Sequence, residues 1–142
     1  VYVLCRGVYH LAKQFLLRLM KSDPPLQLED EDVRVFLAAT LLHDVGHYPF
    51  SHTLEELMPF FVSHEERARQ LIEDPKGSIA PVLRQQLGVD PTRVANVIDY
   101  GSKDREIPER DLLLANILSG TLDPDKIDYL LRDSLFCGVP FG

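Results

Sequence analysis

Four of the five histidines, His43, His47, His52 and His64, fall within 22 positions of one another, with Asp44, Glu55 and Glu65 among them. Imidazole nitrogen and carboxylate oxygen form a ligand set for Mn, Fe, Zn or Ni. Imidazole is also the side chain best suited to proton transfer near neutral pH. His43 and Asp44 are adjacent, about 100° apart around a helix axis. Such neighbours reach a single ion only near a helix end, or through different ligand atoms, and Gly46 supplies that end two residues on. Asp44 also continues the stripe of Phe36, Leu37 and Thr40, so it is expected to point inward, where a carboxylate needs a cation.

A second cluster lies some eighty residues further on, in Asp123-Pro124-Asp125-Lys126-Ile127-Asp128-Tyr129-Leu130-Leu131-Arg132-Asp133. In a helix, Asp125, Tyr129, Arg132 and Asp133 share one face. Ile127, Leu130, Leu131 and Ser134 take the opposing face. Such a polar face is one wall of a pocket: carboxylates for a metal, a cation for phosphate, and a phenol to stack or hydrogen-bond. On its own the same run is a solvated helix face. Beside His43-Asp44 it completes a site.

These residues need helices to carry them. Val8, Leu11, Ala12, Phe15, Leu16 and Leu19 recur at helical spacing, predicting an amphipathic helix over 2–20 that Ser22-Asp23-Pro24-Pro25 ends. Acidic Glu29 to Asp32 suits the positive start of a second helix, whose stripe of Val33, Phe36, Leu37, Thr40 and Leu41 runs into His43-Asp44. Gly46 and Pro49 break it, and a short helix is expected at 52–58. Ser63-His64-Glu65-Glu66 has the capping-box pattern for a helix to about Asp74. Asp90-Pro91 and Asp123-Pro124 each place an N-cap residue before Pro at the first helical position, opening helices at 91–100 and 124–136, with another at 109–119. No stretch alternates with period two, so the fold class is all-α.

Composition narrows the function classes. A length of 142 residues suits one domain, and a net charge of −7 argues against a surface that coats nucleic acid. It leaves a small phosphorylated substrate open, because a bound metal reverses the local field. No apolar run approaches the ~20 residues of a membrane span. Cys5 and Cys137 read as reduced cysteines of a cytoplasmic protein. The chain begins without Met and ends in a turn-like Gly138-Val139-Pro140-Phe141-Gly142, so residues 1–142 are expected to be the core of one domain cut from a longer chain.

The segment Leu41-Leu42-His43-Asp44-Val45-Gly46-His47-Tyr48-Pro49-Phe50-Ser51-His52 resembles the defining motif of the HD superfamily of metal-dependent phosphohydrolases. More narrowly it is similar to the deoxynucleoside triphosphate triphosphohydrolase branch, which pairs HDxGHxPFSH with a later DxDKxDYxxRD, here Asp123 through Asp133. Gly7-Val8-Tyr9-His10-Leu11-Ala12 is similar to that family's first core helix. The resemblance implies an HD-domain helical bundle in which His43, Asp44 and Asp125 are metal ligands for Mn, Fe, Ni or Zn, with Mg a further option. It implies that His64 is the general acid, oriented by Glu55. It also implies that His47 and His52 contact substrate phosphates, and that Lys126, Tyr129 and Asp133 hold phosphate and the sugar 3′-hydroxyl. His10 matches a non-ligand position. One departure stands out: the family's first ligand is a histidine, and counting back from Gly7 puts Leu4 there.

The implied reaction is attack of activated water on the α-phosphate, with charge balanced by His47, His52 and Lys126 and the leaving oxygen protonated by His64. Deoxynucleoside and triphosphate are the products. Two alternatives stay open: an HD hydrolase of another nucleotide, and a non-catalytic nucleotide-sensing module, which the missing histidine favours. The expected partner is a nucleotide. Neither membrane nor nucleic acid is expected, and assembly into a homo-oligomer follows from family analogy alone.

Overall fold

The computed structural model describes residues 2–49, 62–102, 105–120 and 124–139; for residues 2–5 and 125 it describes the backbone alone. The described residues form helices α1 (Tyr2–Leu19), α2 (Asp30–Leu42), α3 (His64–Glu73), α4 (Ile79–Val82), α5 (Pro91–Ile98), α6 (Glu109–Leu118) and α7 (Pro124–Cys137), with one π-helical turn at Leu83–Leu87 and no strand. The all-α reading therefore holds. The predicted short helix at 52–58 lies outside the described residues, as do His52 and Glu55. No helix is long and apolar enough among the described residues to cross a membrane.

Local signals explain most boundaries. Ser63 caps α3 by accepting the Glu66 amide at 3.2 Å, and Asp90 accepts the Thr92 amide at 3.1 Å ahead of Pro91. The core is built from α1 (Val8, Ala12, Leu16), α2 (Val35, Phe36, Ala39), α3 (Ala68, Ile72), α5 (Val94, Val97) and α6 (Leu114, Ala115). Helices α2, α3 and α6 all pack on α5, and α1 lies between α2 and α7.

Two faces differ from the sequence expectation. In α2 the buried face carries Asp32, Val35, Phe36, Ala39 and Thr40, while Leu41 is exposed. Asp32 turns that face inward: it accepts hydrogen bonds from Arg93 and Arg110, each at 2.8 Å, and from the Glu29 amide at 2.9 Å. Among the described side chains of α7 the buried ones are Pro124 and Asp128, whereas Leu130 and Leu131 are exposed. Asp128 pairs with Arg132 at 2.6 Å, and both sit against Gly7 of α1, where a Cβ would collide with them.

The Asp32 cluster has a pH consequence. Burial raises the pKa of this carboxyl, but hydrogen bonds from Arg93, the Glu29 amide and Arg110 outweigh burial and hold it below its ordinary value. A carboxyl depressed in the folded state contributes its full stability above the unfolded value of about 3.9. That contribution is lost as pH falls through the lower folded value. Urea titrations at neutral and acid pH are expected to show Asp32→Asn less stable than the parent at neutral pH and less sensitive to acid. An equal acid-induced loss in both proteins would contradict this assignment.

Candidate active site

The last turn of α2 delivers the first pair. The helix ends at Leu42, His43 keeps helical dihedrals as its C-cap, and residues 43–46 form a turn. His43 Nδ1 lies 2.8 Å from the Thr40 carbonyl. A carbonyl only accepts, so this contact puts the proton on Nδ1 and turns the lone pair of a neutral ring onto Nε2. That Nε2 lies 3.2 Å from Asp44 Oδ1. The side chains of His43 and Asp44 are 17% and 20% exposed, so Asp44 opens onto a cavity rather than facing inward completely, as its place in the stripe had implied.

The second imidazole group comes from the meeting of this turn with the start of α3. His47 Nε2 lies 3.3 Å from the same Asp44 Oδ1, and its ring stacks on that of His64, with centroids 4.1 Å apart and planes inclined by 12°. His64 Nε2 lies 3.2 Å from Glu65 Oε1, which fixes the ring's orientation. Arg67, one turn further along α3, donates to the carbonyls of Gly46 at 3.1 Å and His47 at 3.2 Å. Its guanidinium also lies over the Tyr48 ring, 4.2 Å from the centroid. Gly46 makes this approach possible, since a Cβ there would strike the His64 carbonyl and the Ala68 amide.

His43, Asp44, His64 and Glu65 line a cavity of about 600 Å³, together with Ser63, Glu66, Ile98, Asp99, Tyr100, Gly101, Ser102, Leu118 and Ser119. Such a volume accommodates a small-molecule ligand. The α5–α6 connection thus supplies the wall facing the histidines, a role that nothing in its sequence had announced. Glu65 as partner of His64, and Arg67 as the tie between α3 and the turn, were likewise not singled out. Spacing marks which residues share a helix face, not which helices meet.

The donor set fits a divalent ion. Ligands bound to one ion at about 2.1 Å stand roughly 3 Å apart, which is the separation of His43 Nε2 and Asp44 Oδ1. Nitrogen and oxygen donors of this kind suit the later first-row metals. Among the described residues no group of three or more His, Cys, Asp or Glu side chains is arranged to hold an ion, so the described donors there are two, His43 and Asp44. Asp125 lies in the first turn of α7, with its side chain outside the described residues. Lys126, Tyr129 and Asp133 are exposed along α7, and none of them walls the cavity. The predicted residues therefore divide: among the described residues His43, Asp44, His47 and His64 come together, whereas α7 packs chiefly on α1.

Comparison with known proteins adds a family. Residues 5–132 match the HD domain. Over 136 residues the chain is 33% identical to the uncharacterized protein YwfO of Bacillus subtilis (strain 168), spanning 96% of this chain and 29% of that protein. It is 29% identical over 157 residues to the deoxynucleoside triphosphate triphosphohydrolase SAMHD1 of Homo sapiens, spanning 94% of this chain and 25% of that protein. A crystal structure of a phosphohydrolase from Bacteroides thetaiotaomicron VPI-5482 matches with a TM-score of 0.66 at 29% identity, over 98% of this chain and 30% of that one. The chain thus spans less than a third of each of these relatives.

Proposed function

The chain belongs to the HD-domain family, and from that premise we propose that it is a metal-dependent phosphohydrolase of nucleotides, with deoxynucleoside triphosphates as the leading substrate class. The observation that carries this reading is the cluster of His43, Asp44, His47 and His64, of which His43, Asp44 and His64 line one cavity, with His43 Nε2 and Asp44 Oδ1 at ligand–ligand separation. The triphosphohydrolase relatives support the substrate class. In the site we propose, His43 and Asp44 hold the ion, with Asp125 as a third ligand. A bound divalent metal supplies activated water and polarises a phosphoryl oxygen.

The other steps belong to the chain's own side chains. The Thr40 carbonyl fixes the His43 tautomer and so keeps Nε2 available as a donor atom. His64, which lies beside Glu65 and stacks on His47, in this reading donates a proton to the leaving oxygen. In this reading Glu55 supports His64 from the segment before it. His47 and His52 contact the phosphates, and Lys126, Tyr129 and Asp133 reach the phosphate and sugar from α7.

A screen of deoxynucleoside triphosphates, nucleoside monophosphates and cyclic nucleotides, with Mn, Fe, Ni or Zn supplied, tests the proposal. The expected outcome is metal-dependent release of triphosphate from at least one deoxynucleotide. Release of a different phosphate product would transfer the activity to another nucleotide. A second reading, a nucleotide sensor without turnover, is favoured by Leu4 at the family's first-ligand position; binding without release of any phosphate would be its signature.

A further inference from the structure

The cavity that His43 and His64 line also carries carboxylates, whose charge repels a phosphorylated anion. Glu66, in the first turn of α3, and Asp99, at the end of α5, both line the cavity. A single side chain joins them: Arg105 Nη1 donates to Asp99 Oδ2 at 2.8 Å and to Glu66 Oε2 at 3.1 Å, and Nη2 lies 3.4 Å from Glu66 Oε1. Asp99 has a second cation, because buried Arg69 donates to the same Oδ2 at 2.7 Å and is itself tied to Asn96 and Glu73. Glu66 has Arg105 as its bonded cation.

We propose that Arg105 is a charge-screening residue of this cavity, clasping Glu66 and Asp99 so that the wall does not repel a phosphorylated anion. The inference rests on the reading that the cavity receives a phosphate-bearing ligand. Arg105 is a positioning residue, since it acts on the ligand through the carboxylates it neutralises. The Arg105–Glu66 pair is exposed enough to add little to folding stability, whereas an uncancelled carboxylate beside a polyanion is felt directly as weaker binding. Removing Arg105 leaves Asp99 still bonded to Arg69 and exposes the charge of Glu66 alone, so a change at Glu66 should undo the damage.

The test is calorimetric binding of dATP and of inorganic triphosphate, each with Mn, to the parent, Arg105→Ala, Glu66→Gln and the double variant. Arg105→Ala is expected to bind both probes about tenfold more weakly at low ionic strength, the deficit shrinking to about twofold at high salt. Adding Glu66→Gln to Arg105→Ala is expected to restore most of the affinity, and Glu66→Gln alone to tighten binding by about threefold. A clasp that merely held the fold would instead lower Tm in Arg105→Ala, and binding to the protein that stays folded would show no deficit that shrinks with salt. Parent-like binding by Arg105→Ala, or a double variant as weak as Arg105→Ala, would overturn the proposal, as would a parent that binds neither probe. If binding keeps the expected pattern while neither probe is hydrolysed, the screen stands and the hydrolase reading falls. Hydrolysis with charge-insensitive binding gives the opposite result.

Discussion

Replacing Asp44 by alanine is expected to lower turnover by about three orders of magnitude or more and to remove metal from the purified protein. The magnitude follows from what the side chain supports: metal-assisted stabilisation of a phosphoryl transition state is worth several kcal/mol, and each 1.36 kcal/mol is about tenfold in rate. Asp44 Oδ1 stands between His43 Nε2 at 3.2 Å and His47 Nε2 at 3.3 Å, so its loss removes the carboxylate that both imidazoles face. Its side chain is partly open to the cavity rather than core, so folding should survive. Asp44→Asn keeps the shape and removes the charge, and is expected to lose metal as Asp44→Ala does. Elemental analysis and a phosphate-release assay on the same preparations decide the matter. A variant that keeps its metal and its rate would remove Asp44 from the site, and the proposed chemistry with it.

Most of the bundle was legible because its punctuation is local. A hydroxyl three residues before Glu66, or an aspartate before Pro91, acts within a single turn and needs no knowledge of the rest of the chain. The Ile79–Leu87 segment shows no comparable signal in the sequence: Pro81 disfavours a helix interior, yet its ring is tolerated in the first turn, where its missing N–H has no helical acceptor. The inward turn of α2 was hidden for a different reason. Asp32 resembles a surface acid at a helix start, and its arginine partners lie 61 and 78 residues away. The same holds within the site. The pairing of His43 with Asp44 follows from adjacency, but the stack of His47 on His64 depends on where α3 lands. The α7 motif, clear in sequence, reaches the described structure as a helix that packs on Gly7 through buried Asp128 and its partner Arg132 rather than through Leu130 and Leu131.

Gly46 shows most directly how an apparent breaker carries the site. In sequence it marks the end of α2; in the structure its missing side chain is the space into which α3 fits. A Cβ at this position would collide with the His64 carbonyl and approach the Ala68 amide to 2.6 Å. These are backbone atoms, which cannot swing aside as a flexible side chain would. Gly46→Ala must therefore push the start of α3 away from the His43–Gly46 turn. Overpacking of this kind costs about 2–3 kcal/mol, and for a domain of this size Tm should fall by roughly 5–10 °C. Gly101→Ala is the matched control, because nothing among the described residues lies within 4 Å of a Cβ there, and its Tm should stay near that of the parent. The same displacement acts on chemistry, since His64 opens α3 and its ring rests on His47. Shifting a reacting group by about 1 Å can cost a hundredfold in rate, so the protein that remains folded should be slower by about that factor while still retaining metal at His43 and Asp44. Thermal unfolding, turnover and metal content measured together separate the outcomes. Lost stability with full turnover would mean that His64 does not need its present place, and an unchanged Tm would mean that α3 does not rest on Gly46 at all.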